Sequence, residues 1–410
     1  MAKDFLHPAG EDWSWQGETA FAHSVGVGDQ VFIGGQQTLD ADGNVLDAGN
    51  IAAQTRNVFE NMKSNLAKLG LGFEDLARIN TYYVFDGADE DATQYWEDLT
   101  QVRLKYFPDP GPVGTAVRIK AMPYEGQLIQ IEGVAIRGES RAIRQRIMPD
   151  GSWDWSIPIP LSQGWRVGER IFVGGQISAD EQGKSVHVGD LTAQTHNIFK
   201  FIGNVLSDAG ASFDDVVHIK VCFKYDSRES SGQPFADKIM ELAAEYVGGG
   251  AVLTAFGVDL LYPGLDLEID AMAIADPDRR RLSASTAGGH YQPDVFSDGI
   301  SAAGEIYVGG QTALDADGVV LAAGDVAGQA RIVFKRLASV LAADGATLDD
   351  VVKLNLFFVA DGDASAAAFH AISAVWAEIA PHAYPAMTPV RVHELARDGL
   401  LVQADCIALK

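Results

Sequence analysis

The chain has little cysteine and no long apolar run. Among its 410 residues there are 2 cysteines, Cys222 and Cys406, which excludes a disulfide framework and a CxxC redox motif. No apolar stretch reaches the length of a membrane-spanning helix, and the first residues lack the apolar core of a secretion signal. The sequence therefore predicts a cytoplasmic protein that does not contact a membrane.

Positive charge is also scarce. The 31 Lys and Arg residues face 56 Asp and Glu residues, which gives a net charge of −25. This charge repels phosphate backbones and so disfavours nucleic-acid partners and ribonuclease activity, although it also fits a simple solubility role in a salt-tolerant organism. The sequence has no metal-ligand spacing, phosphate loop or dinucleotide fingerprint, so we expect no metal and no other cofactor.

What the chain does contain is a repeat. The motif Gly-Gly-Gln ends a β-rich apolar run three times, and its second glycine is Gly35, Gly175 or Gly310. At matched distances behind each motif come a second glutamine and an aspartate: Gln54, Gln194 and Gln329, then Asp86, Asp226 and Asp361. The period is roughly 140 residues, the size of an independent domain. We predict three tandem domains, over residues 1–140, 141–277 and 278–410, with boundaries at Arg-rich runs.

Every copy has the same order of predicted elements. A strand pair runs into Gly-Gly-Gln, and an amphipathic helix follows with an N-cap at Asn50, Asp190 or Asp325. A glycine then ends that helix: Gly70, Gly210 or Gly345. One strand, a second helix and two final strands complete the copy. The order β-β-α-β-α-β-β predicts an α+β fold with the helices on one face of a mixed sheet.

These features together resemble the Rid family, also called the YjgF family. The resemblance rests on the Gly-Gly-Gln strand end, the helix after the second glutamine, the aspartate-closed strand and the final strands, and it covers essentially the whole chain three times. Members of that family are single chorismate-mutase-like domains that form trimers with a cleft between neighbouring subunits. The resemblance implies three Rid-like domains forming a pseudo-trimer, either as a monomer or as a pair of such rings.

The chain departs from the family at its substrate clamp. Catalytic members hydrolyse enamines and imines, and the Arg of a Pro-Ala-Arg-(Ser/Thr) segment holds the substrate carboxylate. That Arg is replaced by Gly114, Leu253 and Met387, and the Cys two residues later by Ala116, Ala255 and Pro389. A cleft tyrosine of the family aligns with Phe21, Leu161 and Phe296. The threonine is kept, and we expect it to contribute to substrate binding as Thr115, Thr254 and Thr388.

Strand alternation suggests a replacement for the clamp. Arg118 shares a strand face with Gly114, and Arg391 shares one with Met387, whereas the second copy has Gly257 there. We predict that Arg118 or Arg391 holds a substrate anion. The alternative is an Arg that pairs with acidic neighbours at a domain seam. His393 alternates with Arg391 and is a further candidate for substrate binding, although a lone strand histidine is often structural.

Glu268 is the predicted catalytic acid or base. It falls where the family carries a glutamate that orients the hydrolytic water, whereas the other copies have Gln130 and Gln403. Asp266 and Asp270 alternate with it, and clustered carboxylates raise one another's pKa, which suits proton transfer. The alternative is a solvated or salt-bridged strand face. If Glu268 is functional, the three clefts are not equivalent.

We therefore predict a cofactor-free hydrolase or deaminase acting on a small, anionic C=N compound in an inter-domain cleft. Glu268 would deliver water, and main-chain N–H groups at the Gly-Gly turns would bind developing charge. Two alternatives are a ring-opening hydrolase of a small cyclic amide and a non-catalytic ligand-binding or chaperone-like module. The first lacks a repeated Ser–Lys pair in this chain, whereas the second agrees with the loss of the family Arg.

Overall fold

The structure, a computed structural model, describes residues 3–6, 21–40, 42–225, 233–247, 250–284 and 295–410. Asp226, one of the three repeated aspartates, lies outside these ranges. Within them the chain forms three sheets, each with two helices. No helix in the described ranges is long and apolar enough to cross a membrane.

The three domains have matching helices and strands. Domain 1 contains β1 Lys3–Leu6, β2 Ser24–Val27, β3 Gln30–Gln36, α1 Ile51–Lys68, β4 Leu76–Tyr83, α2 Ala92–Arg103, β5 Val113–Arg118 and β6 Ile129–Ile136. Domain 2 contains β7 Gln145–Ile147, β8 Gly164–Val167, β9 Arg170–Ile177, α3 Leu191–Asp208, β10 Val216–Lys224, α4 Gln233–Ala243, β11 Val252–Val258 and β12 Leu267–Ile274. Domain 3 contains β13 Arg280–Leu282, β14 Gly299–Ala302, β15 Glu305–Thr312, α5 Val326–Ala342, β16 Val351–Phe358, α6 Ser365–Ile379, β17 Ala386–Arg391, β18 Glu394–Leu395 and β19 Val402–Leu409. Short 3-10 turns span Phe73–Asp75, Asp89–Asp91, Gly138–Ile143, Phe213–Asp215, Leu348–Asp350 and Gly362–Ala364.

The predicted order of elements is confirmed in every domain, with one short strand added in front and, in domain 3, the two-residue strand β18 added before the last strand. These additional strands are β1, β7 and β13, and each pairs antiparallel with the next strand of its domain. Two of them fall in or beside the Arg-rich runs used as domain boundaries. Strands of three or four residues show too little alternation of apolar and polar side chains to be recognised in the sequence. The boundaries themselves stay a prediction.

Each sheet is antiparallel except for one strand. The strand orders are β1-β2-β3-β6-β4-β5, then β7-β8-β9-β12-β10-β11-β18, and β13-β14-β15-β19-β16-β17. The pairs β4–β5, β10–β11 and β16–β17 are parallel. β18 belongs to domain 3 but pairs with β11 of domain 2. The parallel strand of each sheet therefore lies at a seam with the neighbouring domain.

The first helix of each domain begins and ends at the predicted residues. The side chain of Asn50 accepts a hydrogen bond from the Ala53 N–H, and Asp190 and Asp325 act in the same way. Gly70 follows α1 with a φ of 72°, a left-handed backbone that favours glycine. The buried face of α1, which includes Phe59, packs on its own sheet. Local sequence and apolar packing therefore agree along this helix.

The opposite sheet faces meet around a common axis. Phe32, Phe172 and Tyr307 occupy equivalent positions on β3, β9 and β15, and all three belong to one buried apolar cluster. Since removing apolar surface from water is favourable, this shared cluster holds the domains together as a closed ring.

Candidate functional site

The Gly-Gly-Gln motifs lie where one domain meets the next. A Cβ added to Gly34 would lie 2.8 Å from the Met387 carbonyl oxygen of domain 3. One added to Gly174 would lie 3.2 Å from the Cβ of Val113 in domain 1, and Gly309 approaches domain 2 in the same manner. The first glycine of each motif therefore permits a close approach between neighbouring domains.

The second glycine of each motif is covered by one particular side chain. A Cβ at Gly175 would overlap the Glu268 carboxylate, and the equivalent positions Gly35 and Gly310 are covered by Gln130 and Gln403. The N–H groups of the first glycines already donate to the carbonyls of His23, Gln163 and Asp298. Of the two glycines in each motif, the second therefore keeps its main-chain N–H for charge that develops on a substrate. The role of Gly35, Gly175 and Gly310 in substrate binding stays a prediction.

The three seams lie in equivalent positions and are called clefts below, and the seams between domains 3 and 1 and between domains 2 and 3 each line a cavity. Cleft 1–2 lies between β5 and domain 2, cleft 2–3 between β11 and domain 3, and cleft 3–1 between β17 and domain 1. Cleft 3–1 is lined by Phe21, Gly35, Phe369, Met387 and Pro389. Met387 and Pro389 are on the strand face that alternation assigned to the cleft.

Cleft 2–3 repeats this lining with different residues. Leu253 and Ala255 of β11 face Gly310 and Gln403 of domain 3, and Met240 of α4 closes one side. In cleft 1–2 the corresponding strand position is Gly114, where a Cβ would lie 3.1 Å from Leu161 of domain 2. Small residues on β5 therefore bring the two domains together there.

The three threonines lie on the strand face opposite the clefts and donate hydrogen bonds to the next domain. Thr115 donates to Asp270 of domain 2 at 2.9 Å, and Thr254 donates to Asp405 of domain 3 at 2.9 Å. Thr388 closes the cycle by donating to Glu132 of domain 1 at 2.6 Å. Each threonine thus bonds to a buried carboxylate of the next domain around the axis. These hydrogen bonds join the domains, and the predicted role of the threonines in substrate binding stays a prediction.

Buried cations complete this axial network. Lys220 lies 2.7 Å from Asp270, and the Arg78 guanidinium lies 3.6 Å from the same carboxylate. Burial alone would raise the pKa of Asp270, but Lys220 and Arg78 outweigh it and lower that pKa. Lys353 pairs with Glu132 in the same way. Asp270 is therefore held ionised, and its charge acts on its neighbour Glu268.

Arg118 and Arg391 bind protein groups, and their predicted role in holding a substrate anion stays a prediction. Arg118 Nη2 lies 2.9 Å from Asp89, and its Nε donates to the Leu260 carbonyl at 2.9 Å. This is the alternative considered from the sequence, an Arg that pairs at a domain seam. Arg391 donates to Ser365 Oγ at 2.7 Å and to two main-chain carbonyls of the loop before α6. Both guanidinium groups hold loops in place.

His393 is also held by protein partners. Its Nε2 lies 3.2 Å from the Asp259 carboxylate, and its ring stacks on Tyr225 with centroids 4.6 Å apart. The main-chain N–H of His393 donates to Gly257, where β18 joins the sheet of domain 2. The structural alternative therefore describes His393 better than a role in substrate binding.

Glu268 lies in cleft 1–2, at the seam between domains 1 and 2. Its side chain is 4% exposed, accepts a hydrogen bond from the Ala116 N–H and leaves Oε2 without a partner in the described structure. Burial, and then the charge of Asp270, raise the pKa of Glu268 to about 8. Neighbouring carboxylates with opposite pKa shifts are a common arrangement for acid–base chemistry.

Four polar groups of domain 1 were missed in the sequence. Tyr83 Oη, Trp96 Nε1, Thr100 Oγ1 and Arg103 Nε are all buried, and none has a hydrogen-bond partner among the residues described. Comparing the copies would have revealed two of these side chains. Tyr83 corresponds to Phe223 and Phe358, and Arg103 corresponds to Ala243 and Trp376. Polar groups at positions that are apolar in both other copies are a signal of specialisation.

The part of the chain that the structure describes contains no group of three or more His, Cys, Asp and Glu side chains able to hold a metal. The acids and cations at the axis pair with one another rather than converging on a cation site.

Comparison with known proteins identifies the family. The family profile described as Endoribonuclease L-PSP matches residues 14–137, 157–275 and 291–410. The chain is 32% identical over 105 residues to the 3-aminoacrylate deaminase RutC of Acinetobacter baylyi, covering 26% of this chain and 77% of that protein. A RutC family protein of Pyrococcus abyssi is 27% identical over 117 residues, covering 28% of this chain and 86% of that protein.

A similarity in fold extends over most of the chain. The crystal structure of a chorismatase superposes with a TM-score of 0.53 at 12% identity, covering 82% of this chain and 94% of that one. At this identity the similarity concerns the fold alone. With the family profile matched three times and the predicted motifs in place, the chain belongs to the Endoribonuclease L-PSP family, the Rid family, as three tandem domains.

Proposed function

We propose that this protein is a cofactor-free hydrolase that deaminates a small enamine or imine in cleft 1–2. The observation that carries the proposal is Glu268, a buried carboxyl group with an unpartnered oxygen and a pKa raised to about 8. Family membership adds support, since a relative is named for deamination of 3-aminoacrylate. A group with this pKa holds a proton at neutral pH and can both donate and accept it.

Glu268 serves both halves of the reaction. The protonated carboxyl donates its proton to the enamine carbon, which converts the enamine to an iminium ion. The resulting carboxylate takes a proton from water as the water oxygen bonds to the iminium carbon. The carbinolamine then collapses to a carbonyl compound and ammonia, so that one water is consumed and Glu268 ends protonated.

The other clefts lack this chemistry. Gln130 accepts from Gln37 at 2.6 Å and donates to the Pro389 carbonyl at 3.0 Å, so both ends of its amide are occupied. Gln403 occupies the equivalent place in cleft 2–3. A side-chain amide stays neutral near pH 7 and does not act as a general acid or base there. We therefore place turnover in cleft 1–2 and treat the other two clefts as scaffold.

We expect a small anionic substrate and no nucleic acid. The net charge of −25 opposes binding to phosphate backbones, despite the ribonuclease in the family description. We also expect one chain, or a pair of chains, per particle, because the three domains already close a ring. Light scattering that gives three chains per particle would contradict this expectation.

The decisive experiment measures ammonia release. The assay supplies 3-aminoacrylate and, separately, 2-imino acids generated in situ by an amino-acid oxidase, and it compares wild type with Glu268→Gln. A matched control is Gln403→Ala, which truncates the equivalent position of cleft 2–3. We expect the Glu268 change to lower kcat by about 10²–10⁴-fold and the control to have no effect.

Two results would count against the proposal. Ammonia release at the uncatalysed rate with every substrate would favour the ligand-binding module instead. Turnover of Glu268→Gln within about threefold of wild type, far short of a general acid–base contribution, would remove Glu268 from the mechanism.

A further inference from the structure

Arg103 is a buried cation with no counter-ion among the residues that the structure describes. It lies on α2 and is 2% exposed. Its guanidinium makes one long hydrogen bond, from Nη2 to Thr81 Oγ1 at 3.4 Å, and its Nε has no partner in the described ranges. Burial lowers the pKa of Arg103 to about 10, so it is still charged at neutral pH. A buried charge without a partner is strongly unfavourable, which indicates that a ligand supplies the missing anion.

Neutral hydrogen-bond donors surround the same region. The Tyr83 hydroxyl, the Trp96 indole N–H and the Thr100 hydroxyl are each at most 1% exposed by residue and have no partner in the residues described. Trp96, Thr100 and Arg103 are spaced along one face of α2. One cation and three neutral donors form a set that is complementary to a carboxylate.

This set occurs in one copy only. Tyr106 stacks on Phe59 as Tyr246 stacks on Phe199, which aligns α2 with α4. In that alignment Arg103 corresponds to Ala243. The other three donors, Tyr83, Trp96 and Thr100, correspond in the same order to Phe223, Ala236 and Met240. In domain 3 the equivalents are Phe358, Phe369, Ser373 and Trp376. The donor set therefore accompanies the cleft whose bridging side chain is an acid, Glu268, where the other two have Gln130 and Gln403.

Several contacts connect the donors to cleft 1–2. The charge of Glu268 acts on the Tyr83 hydroxyl and helps to raise its pKa, after the larger effect of burial. The Trp96 ring packs edge-on against Tyr262 of domain 2, with centroids 6.0 Å apart. Equivalent helix positions line the other clefts, namely Phe369 in cleft 3–1 and Met240 in cleft 2–3. The donor face of α2 is thus a wall of the proposed active site.

We propose that Arg103 binds the carboxylate of the substrate in cleft 1–2, with Tyr83, Thr100 and Trp96 as additional donors. Arg103 on α2 would supply the carboxylate-binding cation that the strand lacks, because Gly114 stands at the position of the family Arg. The substrate class is a small unsaturated carboxylate whose amino-bearing carbon reaches Glu268. The inference rests on the proposed function for its chemistry, but the binding of the carboxylate can be tested alone.

The test compares two buried arginines that lie on helices. Arg336 of α5 is 5% exposed and donates to the carbonyls of Thr312 and Leu314, so it has protein partners where Arg103 has few. Calorimetric titration with pyruvate, and with methyl pyruvate as the uncharged control, is performed on wild type, Arg103→Met and Arg336→Met. We expect Arg103→Met to weaken pyruvate binding at least tenfold and Arg336→Met to leave it unchanged.

Thermal unfolding gives a second readout that does not depend on turnover. We expect Arg103→Met to melt at or above the wild-type temperature, because it removes an unpaired buried charge, and Arg336→Met to melt lower. Arg103→Lys should keep the charge but raise KM more than it lowers kcat, since the planar fork is lost. Equal affinity of wild type and Arg103→Met for pyruvate, or no binding by wild type, would overturn the inference.

The outcomes separate this inference from the proposed function. If pyruvate binding depends on Arg103 but no substrate releases ammonia, the carboxylate site stands and the deaminase proposal fails. If ammonia release depends on Glu268 while Arg103→Met retains the wild-type KM, the deaminase proposal stands and Arg103 is not the anchor.

Discussion

Cleft 1–2 and cleft 3–1 are built from equivalent strands but differ in the group that bridges their seam. In cleft 1–2 the carboxylate of Glu268 accepts from the Ala116 N–H. In cleft 3–1 the amide of Gln130 donates to the Pro389 carbonyl, because a proline at that position has no N–H to offer. The partner strand therefore offers an N–H donor to the carboxylate in cleft 1–2 and a carbonyl acceptor to the amide in cleft 3–1. Three copies in one chain allow one seam to specialise while the others remain scaffold.

The largest expected effect comes from moving the acid between these clefts. We predict that the double variant Glu268→Gln with Gln130→Glu loses about 10²–10⁴-fold in kcat, as the single Glu268 variant does. A glutamate at position 130 faces Pro389 and lacks both the N–H donor and the Tyr83 equivalent. Steady-state ammonia release measures this. Recovery of wild-type turnover in the double variant would show that the two clefts are interchangeable.

The next largest effect should be on the pH dependence of the free energy of unfolding, which we expect to differ between wild type and Glu268→Gln. The unfolded chain ionises Glu268 near pH 4.5, whereas the folded chain keeps the proton until about pH 8. Stability therefore falls as pH rises between these values and stays lowered above them. We expect Glu268→Gln to exceed the wild type by on the order of a few kcal/mol at pH 9, and by much less near pH 4.5.

Denaturant unfolding at both pH values measures this difference. A gap that is constant with pH would show that Glu268 titrates normally in the fold. The same protonated carboxyl predicts that wild-type turnover declines as pH rises through about 8.

Substitutions of the glycines that the bridging side chains cover should lower turnover by unequal amounts. Gly175→Ala would overlap the Glu268 carboxylate and displace the catalytic group, so we expect turnover to fall about tenfold or more, as for other misplaced catalytic groups. Gly310→Ala meets the Gln403 side chain in a cleft without proposed chemistry. Turnover assays on both variants, with melting temperatures as a folding control, measure the difference. Equal losses would place the chemistry outside cleft 1–2.

The smallest effect should come from the axial threonines. Thr115→Val removes one hydrogen bond to Asp270, which keeps its ion pair with Lys220. We expect a loss of about 1 kcal/mol in the free energy of unfolding, with KM unchanged. Urea unfolding and steady-state kinetics measure the two quantities. A large rise in KM would restore Thr115 to the substrate site and contradict its axial placement.

The repeat made much of the fold predictable. Matched motifs predicted three domains, and caps and stops such as Asn50 and Gly70 were confirmed because they depend on local backbone bonding. The position of Glu268 beside an acid that raises its pKa was also predictable, since alternation along one strand places Asp270 next to it. The partners of Arg118 could not be predicted from the sequence, because Asp89 and Leu260 come from a loop and from another domain.

The sequence by itself determined the number of domains, their order of elements, the family and the inequality of the three seams. These properties follow from local periodicity and from comparing one copy with another. The tertiary structure alone decided which charges are neutralised. Arg118 finds Asp89, whereas Arg103 finds no acid in the described chain, and both are charged residues near the same strand pair. The physical reason is that a buried charge is stabilised only by groups within a few ångströms, and packing brings those groups from distant parts of the chain.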